Sequence, residues 1–259
     1  MLRTGAEHLE TLRDGRTVWI GSEKVTDVTT HPAFRNGARS MAAIYDLKRA
    51  DPELSFEEGG ERFSHYYLRA RSREDLEKRT RLHRRIARMS QGLLGRSPDH
   101  VSSFVTGMST NPGVFGRFSG NLLAYYEHLR KTDAYAVYAV IPPQAARNPE
   151  FYEKKNIPIP TLRVVREDDR GVVVSGMKML ATGAAFANEV WIGNLIPLAP
   201  NQLAESITCA IPMNAPGLTL WSRKPFERDA RSEFESPLAY RFDETDSMLM
   251  CEDVHVPWE

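Results

Sequence analysis

Arg96, Asp99 and His100 crowd three polar side chains onto one corner of the chain, in the run Gly95-Arg96-Ser97-Pro98-Asp99-His100. The arginine guanidinium is a planar fork that matches a carboxylate or a phenolate. A histidine beside it accepts or donates a proton near neutral pH. A phenol is a poor nucleophile, whereas its phenolate is electron-rich at the ortho carbon. A site that steadies the phenolate therefore favours attack on an electrophilic oxygen. The plainer reading is a helix end with solvated charges, and the local motif alone does not separate the two. A second stretch, Leu180-Ala181-Thr182-Gly183-Ala184-Ala185, places a hydroxyl among small residues at the end of a strand. Its backbone can approach a planar cofactor closely, or it is a turn of small residues and nothing more.

A long helix has to position the first corner. Ser72 is a cap, with Glu74 and Asp75 in the first turn, where carboxylates meet free N–H groups. Leu76, His83, Ile86, Ala87, Ser90, Leu93 and Leu94 recur at helical spacing, and Gly95 and Pro98 are read as the stop. Before it, residues 4–12 read as a short helix, 17–20 and 24–28 as paired strands, and His31-Pro32 as the opening of a helix. The acidic, glycine-bearing residues 51–61 read as a loop, 63–68 as an extended segment, and 118–131 as a helix with aromatic faces. From residue 134 the pattern turns to strands: 135–141, a hairpin of 162–165 and 172–174, then 177–181, 190–196, 207–212, 218–221 and 247–251. The first half is mostly helical and the second mostly β, which divides the chain into a helical domain over 1–133 and a β-rich domain over 134–259.

Composition narrows the function. The chain has 259 residues, 41% hydrophobic and 26% charged, as in a soluble globular protein of one large or two modest domains. Lys plus Arg and Asp plus Glu are 34 each, and this balance argues against a nucleic-acid partner. No apolar run reaches the roughly 20 residues of a membrane span, and the N-terminus lacks the apolar core of a signal peptide. The two cysteines, Cys209 and Cys251, are too few for a disulfide framework, so a reducing, cytoplasmic setting is expected. There is no Gly-x-Gly-x-x-Gly, phosphate loop, His-Glu-x-x-His or Gly-x-Ser-x-Gly. No metal site is expected.

Three segments together carry a family resemblance. They are the run from Gly95 to His100, then Val174-Ser175-Gly176-Met177-Lys178-Met179-Leu180-Ala181-Thr182, then Arg241-Phe242-Asp243-Glu244-Thr245-Asp246 with the closing Val256-Pro257-Trp258-Glu259. Asp14-Gly15-Arg16 and the segment from Asp27 to Arg35 agree with them. Over essentially its whole length the chain resembles the oxygenase component of 4-hydroxyphenylacetate 3-monooxygenase, the family of two-component, reduced-flavin-dependent aromatic hydroxylases.

The resemblance implies an α+β fold of acyl-CoA dehydrogenase type. A helical N-terminal domain is followed by a β-barrel-like middle domain, and the family's C-terminal helical bundle is missing from this chain. It implies ortho-hydroxylation of a phenolic aromatic acid similar to 4-hydroxyphenylacetate. FAD arrives reduced from a separate flavin reductase and reacts with O2 to form a C4a-hydroperoxide, which the ring then attacks. Arg96, His100 and Tyr138 are the implied catalytic residues, with the histidine and tyrosine exchanged relative to family members. Tyr138, Ala139, Val140, Gln144, Arg147 and Thr182 match flavin contacts, and Gly193, Asn194 and Leu195 match a loop over the substrate. A homotetramer is the implied assembly. Two other readings stand beside this one. The first is a non-catalytic, truncated paralogue that binds subunits. The second is a flavin-dependent CoA-ester dehydratase, which needs cluster-ligating cysteines that the corner at Arg96 lacks.

Overall fold

The structure, a computed structural model, describes residues 2–258 apart from residue 196, without the side chains of residues 147 and 149. Thr4 opens α1 (Gly5–Thr11) with a reciprocal cap: its hydroxyl accepts from the Glu7 N–H and the Glu7 carboxylate accepts from its own N–H. β1 (Thr17–Ile20) and β2 (Glu23–Val25) form the expected antiparallel pair. α2 (Arg35–Ala50) starts later than His31-Pro32 suggests, because Phe34 N–H closes a turn on the His31 carbonyl first. Residues read as an acidic loop instead form a hairpin of β3 (Ser55–Glu58) and β4 (Glu61–Ser64). Gly59 and Gly60, with φ of 61° and 81°, supply the left-handed turn that such a tight hairpin requires.

The long helix α3 (Arg73–Met89) is capped by Ser72, whose hydroxyl accepts from Asp75 N–H. It ends at Ser90 and not at Gly95. Gln91 and Gly92 take left-handed φ of 54° and 78°, and Gly92 N–H closes back on the Ala87 carbonyl. Of the residues at helical spacing, Ile86 is buried, as is Leu82, which was not among them, while Leu76 and Leu93 are exposed. The polar corner is therefore the start of the next helix, α4 (Asp99–Met108), and residues 91–98 bridge the two. α5 (Ser119–Thr132) follows and stops at Asp133, at φ 48°.

The second half contributes β5 (Ala136–Ala139), α6 (Pro149–Lys155), β6 (Arg163–Asp168), β7 (Gly171–Thr182), β8 (Glu189–Ile192), β9 (Cys209–Pro212), β10 (Leu218–Ser222), α7 (Pro237–Phe242) and β11 (Asp246–Pro257). Residues 177–181 are the continuation of β7, not a separate strand. The expected strand over 190–196 stops at Ile192, and Ile196 itself lies outside the described residues. The six-stranded sheet runs β2-β1-β10-β11-β7-β6, with β1 parallel to β10, so the early hairpin joins strands of the second half. A smaller sheet runs β5-β8-β9 and touches the large one where Ile141 bridges to Met179. Between Ser247 and Leu249 of β11 the register to β7 shifts, and the bulge carries Leu180 at φ 59°.

A buried charge pair locks α2 to the end of α5. Lys48 Nζ donates to Asp133 Oδ1 at 2.7 Å, both residues being almost fully buried. The ammonium also lies 4.1 Å from the Tyr45 ring centre and 4.9 Å from that of Tyr66. Arg3 N–H donates to the other Asp133 oxygen at 3.2 Å. Asp133→Asn leaves a buried ammonium without its counter-charge and is expected to cost roughly 3–5 kcal/mol in urea denaturation. Lys48→Met combined with Asp133→Asn is expected to cost less than the sum of the single changes.

His8 is stacked on Tyr45 with ring centres 4.3 Å apart. Burial, and then the charges of Arg3, Lys48 and Arg16, hold its pKa well below the usual imidazole range. Burial likewise pushes His65 down to about 4. Both are neutral in the fold and titrate near 6.5 when unfolded. Their contribution is whole above about pH 6.5 and is lost as pH falls through that value towards the folded ones. His128, raised by the Glu189 hydrogen bond, acts in the opposite sense: its contribution is whole below its unfolded pKa and fades as pH rises through the folded one. The melting temperature is expected to fall from about pH 6.5 to pH 4, and His8→Phe to flatten part of that fall. A wild-type melting temperature that holds steady over this range contradicts the assignment.

Candidate active site

Residues 91–98 are an irregular bridge between two helices, so neighbouring elements have to hold Arg96 in place. Glu244, in the turn before β11, reaches across to it: Oε1 accepts from Gly95 N–H at 2.8 Å and Oε2 from Arg96 N–H at 2.6 Å. On the other side the Tyr135 hydroxyl donates to the Arg96 carbonyl. The guanidinium then donates from Nη2 to the Tyr138 hydroxyl at 3.1 Å, with its carbon 5.4 Å from the Tyr138 ring centre. Tyr138 lies on β5 and His100 in the first turn of α4, and their ring centres are 5.0 Å apart. Tyr138 thus meets both Arg96 and His100, and all three are half-buried.

An aromatic wall continues from this cluster. Phe104 meets His100 edge-on at 6.2 Å and Trp191 at 5.7 Å. Trp191 of β8 is also the register partner of Tyr138. Asp99 faces away, with Oδ2 at 2.8 Å from His83 Nδ1 and Oδ1 accepting from the Ser97 hydroxyl. Burial, then the Arg96 charge, lower the His100 pKa, and Asp99 opposes them. His100 is therefore a neutral imidazole at pH 7, able to take a proton. Tyr135 is fully buried, and its hydroxyl is pushed well above the ordinary phenol range, so it stays a donor.

Thr182 stands at the end of β7, past the Leu180 bulge, and its hydroxyl donates to Asp246 Oδ1 at 2.6 Å. With its hydrogen engaged, the oxygen is left as an acceptor. Gly183, at φ 79°, packs so tightly on Tyr135 that any Cβ there would overlap the tyrosine hydroxyl. The same hydroxyl holds Arg96, so Gly183, the residue after Thr182, and Arg96 share a neighbour. The bridge from Ile141 to Met179 sets the end of β5 beside the end of β7. The carbonyls of Ala139 and Val140 are taken by the N–H groups of Gly193 and Leu195, at 3.2 and 3.3 Å. Val140 is half-buried and can offer a ligand apolar surface, whereas Ala139, read as a flavin contact, is fully buried in the core beneath it. Gln144 is exposed on the turn that follows, and the Arg147 side chain lies outside the described residues.

Sequence reasoning gave no role to Lys178, Glu244, Tyr135, Phe104 or Trp191. Lys178 is buried and donates to the Gly193 carbonyl at 2.9 Å and to Asn194 Oδ1 at 2.8 Å, which pins the loop of Gly193, Asn194 and Leu195. Asn194 Nδ2 in turn donates to the Glu205 carbonyl at 2.9 Å. Strand alternation was the available signal for Lys178, since it falls in phase with Val172 and Val174 on the buried face of β7.

The family model described as 4-hydroxyphenylacetate 3-hydroxylase N terminal matches residues 4–259. The chain is 35% identical to the 4-hydroxyphenylacetate 3-monooxygenase oxygenase component of Klebsiella oxytoca, covering 99% of this chain and 51% of that one. It is 37% identical to the 4-nitrophenol 2-monooxygenase oxygenase component of a Rhodococcus species, covering 99% and 50%. The crystal structure of an oxygenase component complexed with FAD and 4-hydroxyphenylacetate superposes with a TM-score of 0.89 at 35% identity, over 99% of this chain and 54% of that one. An archaeal 4-hydroxybutyryl-CoA dehydratase shares the fold at 20% identity and a TM-score of 0.85, over 100% of this chain and 53% of that one. The chain spans about half the length of the curated relatives it matches. By this match over nearly its whole length, the chain belongs to the 4-hydroxyphenylacetate 3-hydroxylase N-terminal family.

Proposed function

We propose that this chain carries the phenol-binding corner and the flavin-edge strand of an oxygenase component that ortho-hydroxylates a phenolic aromatic acid. The observation that carries this reading is that Tyr138 meets both Arg96 and His100, its phenolic oxygen bonded by a fixed cation and its ring beside a neutral imidazole. Tyr138 marks where a substrate phenol can bond: its own hydroxyl already takes an N–H from Arg96. Arg96 steadies the developing phenolate, and His100 accepts the proton. Phe104 and Trp191 wall the ring and exclude water from its face.

FAD fits the residues of this corner. Thr182 offers an acceptor oxygen and half-buried Val140 offers apolar surface, while buried Ala139 and Gly183 pack the layer behind them. When bound, FAD reduced by a separate reductase supplies the activated oxygen from O2. The loop of Gly193, Asn194 and Leu195, pinned by Lys178, borders the same strand end and closes over the substrate in this reading. The assembly we infer is an acyl-CoA dehydrogenase-like tetramer. Residues 1–133 are its helical domain apart from β1 and β2, which join the sheet of the barrel-like domain over residues 134–259, and the relatives' remaining half supplies a helical bundle. Arg96, His100, Tyr138 and Thr182 are each half-buried, which suits a site that another element covers. Among the described residues no helix is long and apolar enough to cross a membrane.

The test supplies the chain with a flavin reductase, NADH, FAD and a panel of phenols, alone and with the C-terminal half of a 4-hydroxyphenylacetate relative. Catechol formation is expected. Arg96→Gln is expected to lower turnover on the order of 10²–10³-fold, the loss typical of removing an anion-stabilising donor. A chain that binds no FAD even with that half present is a subunit-binding protein instead. Full turnover by Arg96→Gln sinks the assignment of the phenol-binding corner.

A further inference from the structure

The turn over residues 243–246 holds both ends of the proposed site at once. Glu244 takes the amides of Gly95 and Arg96. The next residue, Thr245, accepts Gly183 N–H on its carbonyl at 3.0 Å. Asp246 then accepts the Thr182 hydroxyl at 2.6 Å. Three consecutive residues of one turn therefore hold the backbone of the arginine at the phenol end, and the backbone and hydroxyl at the flavin end. The turn itself is braced. Arg223, at the end of β10, donates to Asp243 at 3.0 Å and to Asp246 at 3.2 Å, and Asp243 also accepts Thr245 N–H at 2.8 Å.

We propose that Glu244 is the positioning residue of this site. From the turn that also fixes Thr182, it clamps the backbone of Arg96 and so sets where the guanidinium meets the phenol oxygen. This rests on the phenol-binding reading above. A carboxylate suits the task because each of its oxygens takes one N–H, whereas an amide side chain turns a donor towards one of them. Tyr135 completes the clamp from the carbonyl side. Glu244 acts through Arg96 and needs no contact with the substrate.

The test uses the full chain and 4-nitrophenol, whose phenolate absorbs visible light, so its ionisation on the protein is read directly. On the wild-type chain the bound phenol is expected to ionise at lower pH than in water. Glu244→Gln is expected to move that ionisation back towards the free value and to weaken binding roughly tenfold, about the worth of one hydrogen bond to a charged group. Tyr135→Phe is expected to move both in the same direction, and it serves where Glu244→Gln does not fold. His100 and Tyr138, the titratable groups beside the ligand, and Asp99, which faces away towards His83, are unchanged in both variants. In an Arg96→Gln background, Glu244→Gln is expected to add nothing, because its effect passes through the arginine. Wild-type ionisation behaviour in Glu244→Gln, or additive effects in the double variant, overturns the clamp while the phenol reading stands. A wild-type chain on which 4-nitrophenol ionises as in water overturns that reading, and the clamp with it.

Discussion

A helix that stops early creates the central constraint. α3 ends at Ser90, and from Gln91 to Pro98 the chain has to cross to α4 without a regular hydrogen-bond ladder of its own. Buried or half-buried amides in such a bridge need partners from elsewhere. Arg96 finds them on both sides of its peptide, a carboxylate from the turn before β11 and a phenol hydroxyl from the residue before β5. The side chain is thereby anchored at its root, and its guanidinium reaches Tyr138. A cation held by its backbone loses little further entropy on meeting a ligand, which is the condition for strong stabilisation of a developing anion.

The β half extends the same logic. β11 is the spine, paired with β10 on one side and β7 on the other. The bulge at Leu180 lets β7 depart from strict alternation just before Thr182, so the threonine faces Asp246 across the end of the ladder. The small sheet meets the large one at Ile141 and Met179, which brings Tyr138 to the same end of the molecule. β1 extends the sheet by pairing in parallel with β10, and β2 forms the edge beyond it. Helical and β elements share one hydrophobic core, and the Lys48–Asp133 pair ties the helices together at the root of β5.

Much of this was legible in local sequence. β1 follows a β-branched and aromatic run, α5 follows an aromatic helical period, and β6 and β7 follow a charged turn between apolar runs. The end of α3 was not, because Leu93 and Leu94 continue the apolar rhythm past the point where Gln91 and Gly92 turn left-handed. Spacing alone cannot register a φ value. The hairpin at Gly59-Gly60 was hidden by acidic residues that face solvent along short strands. The types at the corner, arginine and histidine, could be read from the chain, whereas the residues that hold them could not. Glu244 is separated from Arg96 by most of the β half, and a lone acidic residue carries no sign of a buried amide partner. Lys178 reads as a surface lysine until the strand's two faces are assigned.

The most direct test is a crystal structure of the chain with 4-nitrophenol bound. The account predicts the phenolic oxygen within hydrogen-bond reach of the Arg96 guanidinium, beside His100 and Tyr138, with Glu244 still on the Gly95 and Arg96 amides. A ligand seated elsewhere, or an Arg96 side chain turned away from it, would contradict the account.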